Sequence, residues 1–397
     1  MTLSAVNPGD RLAGFDFEAH NAEVREMWAA YRDGQPTRTP IIVGTTTRFF
    51  MANPAANPER LTFRTYTEDP DVMFDAQLRF ARWRGFNILQ DAELGLGLPE
   101  RWQVSVDFQN YWEPAWFGCP VEYLDGEVPD TRQAFEAAPE RVMQNGLPEP
   151  FGGIMARGLE YHERFVERAA SEEYLDRPIE VLPPWYGVGY NGPMTVACAL
   201  FGPTWVCEAM ALERERLQTL LTFITEATIS RMTAWRTRCG VPIPEVNGGG
   251  MDDSIAMISV PMLKRHILPH LKRIYEVFTT GRRAIHCCGD ATRHFPTLQR
   301  ELGIQSYDTG FPVDFAWLRE QLGPDAEIQG GPHVELVRSG TPEEIYGETV
   351  RILQTGILSG GRFTLREGNN LGPGTPLENT EAMYRAGRDH GYRREAQ

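Results

Sequence analysis

Short β-branched or apolar runs recur along the chain, each closing on Gly, Asn, Asp or Pro and each followed by a stretch with helical spacing. That rhythm marks parallel βα units, whose strands are buried on both faces and whose helices carry the chain back. Eight runs stand out, at 39–46, 87–91, 178–185, 242–248, 283–288, 304–309, 326–331 and 362–367. Eight parallel strands close a barrel, so the pattern predicts an α/β fold of the (β/α)8 TIM barrel class, with functional groups at the strand C-termini. The clearest helix is 260–279, where apolar residues from Met262 to Phe278 recur at helical spacing behind a Ser259 cap and an early Pro261. Pro269 is expected to bend it. Other helices fall at about 70–84, 206–238, 342–357 and 378–391. Thr341-Pro342-Glu343-Glu344 reads as a cap, an N1 proline and acids facing the positive helix end.

The segment from about 95 to 177 breaks the rhythm with a Trp-rich stretch and then a polar, acidic helical region. It is read as a lid-like insertion over the barrel mouth, within a single domain spanning 1–397. Its aromatics (Trp102, Tyr111, Trp112, Trp116, Phe117) suit either a cover over a flat organic substrate or a local mini-core. The chain is 42% hydrophobic and 23% charged, as globular proteins are. Its 39 basic and 54 acidic residues leave a charge of −15 with no basic cluster, so nucleic acid is not an expected partner. Neither a basic-then-apolar leader nor a run long enough to span a membrane occurs, so secretion and membrane insertion are not expected. Six sparse cysteines, two of them adjacent, fit a reducing cytoplasm better than a disulfide scaffold.

Polar residues cluster where strands are predicted to end. The sharpest motif is Ile285-His286-Cys287-Cys288-Gly289, because residues two apart on a strand share a face. His286 and Cys288 then point together and offer the soft donors zinc prefers, while Cys287 faces away. A buried cysteine beside a hydrogen-bonded histidine is the other reading. Asp252 and Asp253 follow the glycine-rich turn Asn247-Gly248-Gly249-Gly250; one of them is expected to face the site and the other to cap, unless both are turn residues in solvent. Asp91 and Asp308 end separate strands and suit acid–base or orienting work, or helix caps. Arg48 and Arg366 end the first and eighth strands, where they could clamp a carboxylate or phosphate or pair with nearby acids. Asn247, Asn369 and Glu367 add polar groups at strand ends, and His333 is a ligand, a proton shuttle or a satisfied loop histidine.

These motifs resemble the uroporphyrinogen decarboxylase-like superfamily, which includes porphyrinogen decarboxylases and corrinoid-dependent methyltransferases. The resemblance runs from about 240 to the end, through Met251-Asp252-Asp253, HCCGDATRHFP, SYDTGFPVD, SGTPEEI and GNNLGPGTPLEN. Upstream it is thinner, though Asp91 matches the strand-end aspartate of the decarboxylases and Gly192-Pro193-Met194-Thr195 resembles their Ala-Pro-Trp-Thr turn. The Trp-rich insertion has no counterpart in it. The arginine-rich opening loop of the decarboxylases is reduced here to Arg48, their tyrosine falls at Ala199 and their C-terminal histidine at about Asn369. The His-x-Cys-Gly of the methyltransferases is matched by His286, Cys288 and Gly289, but their third zinc ligand, a cysteine, also falls at about Asn369.

The resemblance implies a metal-assisted methyl or one-carbon transferase, with a corrinoid as co-substrate and a thiol or folate as acceptor. The expected catalytic residues are Asp91, Asp252 and Asp308, and the substrate-binding residues Arg48, Asn247, Arg366 and Asn369. Zinc is expected on His286 and Cys288, completed by Glu367, His333 or an aspartate; the alternative is a different metal or none. Decarboxylation of a porphyrinogen or smaller acid and a binding barrel without chemistry are the alternatives. The expected partners are a small-molecule substrate, a corrinoid protein and a second copy of the chain in a homodimer.

Overall fold

The computed structural model describes residue 7 and residues 9–392. Its principal sheet is parallel, with Gly248–Met251, Arg283–Cys287, Ile304–Thr309, Glu327–Gly330 and Phe363–Leu365 side by side in chain order. Each strand is followed by helical returns, as the alternating pattern requires. Single parallel bridges extend the sheet, from Leu365 to Ile41 at one edge and from Met251 to Asn191 at the other. Beyond Ile41, its carbonyl accepts the Asp91 amide at 2.7 Å. The chain is thus a mixed α/β protein built on a parallel sheet. Among the described residues, no single helix is long and apolar enough to cross a membrane.

Four predicted strands differ. The run 39–46 forms no regular strand and joins the sheet only through the single bridge at Ile41. The run 178–185 forms Arg177–Val181, but it pairs in parallel with Trp102–Val104 and antiparallel with Glu173–Tyr174, in a separate small sheet. Residues around Asn191 take the place expected for it beside Met251. The run 242–248 is displaced, because the strand is made by the glycines themselves, Gly248–Met251. Close packing needs them: a Cβ on Gly249 would lie 3.0 Å from the Ala284 carbonyl, and one on Gly250 would enter the Tyr190 ring. Around 87–91 there is a hydrogen-bonded edge and no regular strand.

The helices follow their signals more closely. Ser259 caps the helix start through its Oγ to the Met262 amide at 3.4 Å. Pro269 has no N–H to give the preceding turn, and a π-helical turn, Leu263–Ile267, lies just before it. Thr341 and Glu344 close a reciprocal capping box on Pro342–Leu353. The expected 206–238 helix is two, Pro203–Leu212 and Arg214–Cys239, broken at Glu213.

The insertion is part of the core. Trp102, Tyr111, Trp112, Trp116 and Phe117 are all buried, packed with Phe108, Tyr186 and Trp235. Of the two readings offered for those aromatics, the mini-core is the one observed. A buried ion pair anchors it: Glu113, on Trp112–Trp116, meets Arg231 at 2.8 Å and accepts the Asn191 amide at 3.0 Å.

Candidate functional site

The parallel register decides which strand ends meet. His286 stands opposite Met251 on one side and Asp308 on the other. Two residues beyond Met251, Asp253 comes level with Cys288, and its Oδ1 accepts the Cys288 amide at 2.7 Å. The His286 Nε2 lies 2.8 Å from the Cys288 sulfur and 3.8 Å from the Asp253 carboxylate. One donor atom from each of Asp253, His286 and Cys288 lies within 4.8 Å of the other two, and all three residues are half-buried. Cys287, as predicted, faces the other way and is fully buried.

The far side of the imidazole is held as firmly. Asp308 Oδ2 is 2.7 Å from His286 Nδ1, and Arg366 donates from its NH1 to both Asp308 oxygens at 3.2 and 3.3 Å. A carboxylate on Nδ1 holds a proton there, so Nε2 is the nitrogen that faces the sulfur and Asp253 and the one that would lose its proton to a bound metal. Burial alone would lower the His286 pKa, but the Asp308 carboxylate and the Cys288 sulfur outweigh it and raise it to about 10. Burial likewise opposes the charge on Asp308; the His286 bond and the Arg366 charge prevail and hold its carboxyl below the ordinary value. The result is a line of alternating charge across three strand ends.

Next along the rim, Glu367 is fully buried and accepts the Gly44 amide at 2.8 Å, with its Oε2 unpartnered. Burial pushes its carboxyl up to about 7. Around it the Thr45 and Thr46 hydroxyls and the Arg366 Nε are also buried without partners, a concentration of unsatisfied groups that native interiors avoid away from functional sites.

Several expected residues are placed elsewhere. Asp252 is the capping member of its pair: it is buried, accepts the Thr195 amide and hydroxyl at 2.8 Å each, and anchors the helix Pro193–Phe201. Burial raises its carboxyl to about 7. Asp91 is a structural ion-pair residue: Arg38 reaches it at 2.5 and 2.9 Å, and the Ile41 amide and Tyr384 hydroxyl occupy its remaining positions. Arg48 donates to Gln109 at 3.3 Å, whereas Arg366 pairs with the nearby acid Asp308, the other of the two readings offered for it. Asn247 is exposed and precedes its strand, at the opposite end from the site, because the strand begins only at Gly248.

The proposed third ligands fare similarly. His333 is exposed, lies against the Phe311 ring at a tilt of 50° and accepts the Glu335 amide at 3.0 Å, capping Val334–Ser339. Asn369 folds onto its own turn, accepting the Asn370 amide at 2.8 Å. Glu367 is turned to Gly44 and is separated from His286 by Arg366 and Asp308. The residue that does complete the cluster is Asp253. Its signal was the alternation of side chains past Met251, legible once the strand is placed on the glycines.

A parallel α/β protein with His, Cys and Asp side chains gathered at its strand ends has the make-up of an enzyme. The uroporphyrinogen decarboxylase (URO-D) family model matches residues 103–390, and the chain belongs to that family. No curated protein matches the chain in sequence. Among solved structures it is similar to a methyltransferase from Methanosarcina mazei, with a TM-score of 0.60 and 17% identity, over 92% of this chain and 98% of that one. At that identity the likeness is one of fold.

Proposed function

We propose that the protein is a zinc-dependent methyl or related one-carbon transferase, with Asp253, His286 and Cys288 as the metal ligands. The observation that carries this reading is the convergence of those three donors, with the imidazole already oriented by Asp308. One nitrogen, one sulfur and one carboxylate oxygen make a chemically sound zinc set, and three protein ligands leave a position open, as in catalytic sites. Bound there, zinc would lower the pKa of a thiol acceptor and keep it nucleophilic at neutral pH. Asp308 holds the imidazole in the ligating tautomer, Arg366 keeps Asp308 ionised, and Asp252 fixes the turn that presents Asp253. A corrinoid is the proposed methyl donor, carried by a corrinoid protein, and a thiol or folate the acceptor. The name of the similar methanogen structure supports methyl transfer over decarboxylation. So does the state of Asp91, whose oxygens are already engaged by Arg38, Ile41 and Tyr384.

We further propose that the bridges at Ile41 and Asn191 belong to a closed (β/α)8 barrel, in which these strand ends ring one mouth.

The test is elemental analysis with a transfer assay from methylcobalamin to a small thiol. The wild type is expected to hold one zinc per chain and to transfer the methyl group. His286→Ala and Cys288→Ser should lose both, and Asp308→Asn should weaken metal affinity by about 10–100-fold. Negligible zinc in the wild type, or equal zinc in all variants, would remove the metal from the mechanism. Carbon dioxide release from a carboxylic acid without a corrinoid would favour a decarboxylase.

A further inference from the structure

Three enclosed arginines of this protein have their charge or their N–H groups matched. Arg38 meets Asp91, Arg231 meets Glu113, and Arg319 donates to the carbonyls of Ile357, Gly323 and Ala326. Arg84 breaks the rule. It lies half-buried on the helix Pro70–Asn87, its guanidinium has no acceptor among the described residues, and the Phe80 ring is 5.9 Å away. Burial drives its pKa down, with no counter-charge to oppose the shift. In a chain with 54 acidic residues, an acid could easily have been placed beside it. Leaving a half-buried cation without a counter-charge costs stability that an anion bound beside it would restore.

Arg84 lines a cavity of about 250 Å³ between its helix and the loop that follows Asp91. Gln90 lines it too; the side-chain oxygen accepts the Val43 amide at 3.1 Å, so its amide nitrogen is left as a donor. Arg101 stands exposed at the rim, in no ion pair among the described residues. The one acid on the wall, Glu93, is already paired with Arg32 at 3.0 Å. The rest of the wall includes Ala81, Leu96 and Trp102, which offer apolar surface.

We propose that this cavity is a second ligand site, separate from the His–Cys–Asp cluster, that binds a small organic carboxylate. The carboxylate is held by Arg84, with Gln90 and Arg101 as further donors, and its hydrocarbon part rests on Ala81, Leu96 and Trp102. A planar guanidinium matches a carboxylate through two parallel hydrogen bonds. The cavity volume suits a molecule of a few carbon atoms.

Calorimetric titration of the full chain with butyrate, and separately with inorganic phosphate, at constant ionic strength decides the matter. Butyrate is expected to bind saturably at one site. Arg84→Gln should weaken it about tenfold or more. Cys288→Ser should leave it unchanged. Arg101→Gln, a rim substitution that the fold does not depend on, should weaken it by about two- to fivefold. Absence of saturable butyrate binding overturns the proposal, as does equal affinity in Arg84→Gln. Should Arg84→Gln fail to fold, unchanged affinity in Arg101→Gln overturns it instead. Saturable phosphate binding without butyrate binding replaces the carboxylate by a phosphate ligand.

Discussion

His286 owes its proposed role to its neighbours more than to its own identity. An imidazole alone titrates near neutrality; here Asp308 fixes one nitrogen and Cys288 and Asp253 crowd the other. The same dependence on surroundings gives Glu367 a measurable signature. Its carboxyl titrates near 4.5 in an unfolded chain and at about 7 in the fold, because burial disfavours the charged form. The folded state therefore binds the proton more tightly, and stability falls as pH rises from about 4.5 to 7. Glu367→Gln removes that titrating group. Relative to the variant, the wild type should lose stability across this window, on the order of 3 kcal/mol in all. Urea unfolding at pH 4.5, 6 and 8 measures it, and parallel curves for the two proteins would contradict it.

Among the elements, the strand Gly248–Met251 has the most bearing on the site. Its glycines carry no β-propensity, yet they let it lie against Ala284 and Tyr190 and so deliver Asp252 and Asp253 to opposite tasks. Gly250→Ala should cost about 1–3 kcal/mol through overpacking against Tyr190. It should also weaken metal binding, since Asp253 would move with the strand. Gly347→Ala is the control: it lies in Pro342–Leu353 with nothing within 4 Å of the added carbon, and should stabilise by about 0.5–1 kcal/mol. Thermal melts of the two variants should shift in opposite directions. Reading those glycines as a turn was the natural inference from composition, and it displaced Asn247 to the wrong end of the strand. Capping signals at Ser259 and Thr341 were legible because they act within one turn of chain.

At the scale of the whole molecule, the Glu113–Arg231 pair shows how the insertion is bound to the rest. Arg231 comes from the helix Arg214–Cys239, lies over the Trp112 ring at 4.5 Å and donates to the Gly189 carbonyl at 3.0 Å, while Glu113 takes the Asn191 amide. Three separate parts of the chain meet at one buried pair. Removing one partner leaves the other charge stranded, so Glu113→Ala should cost about 3–5 kcal/mol. A double replacement by apolar residues of similar volume should recover most of that loss. Equilibrium unfolding of the single and double variants tests both expectations; a loss below about 1 kcal/mol in Glu113→Ala would show the insertion to be independently anchored.

What the amino-acid order determined alone was local or periodic: the βα rhythm, the caps, the proline-perturbed helix, the shared face of His286 and Cys288, and the family from its motifs. Each depends on residues a few positions apart, where geometry follows directly from backbone repeat. The placement of Asp253, and not of Asp252, His333 or Glu367, beside His286 and Cys288, the engagement of Asp91 by Arg38 and the pairing of Arg177–Val181 with Trp102–Val104 were decided only by tertiary structure. Those outcomes turn on register and on charge pairing between distant segments. A one-residue change in register reverses every side chain on a strand, and no local pattern records which distant partner will neutralise a buried charge.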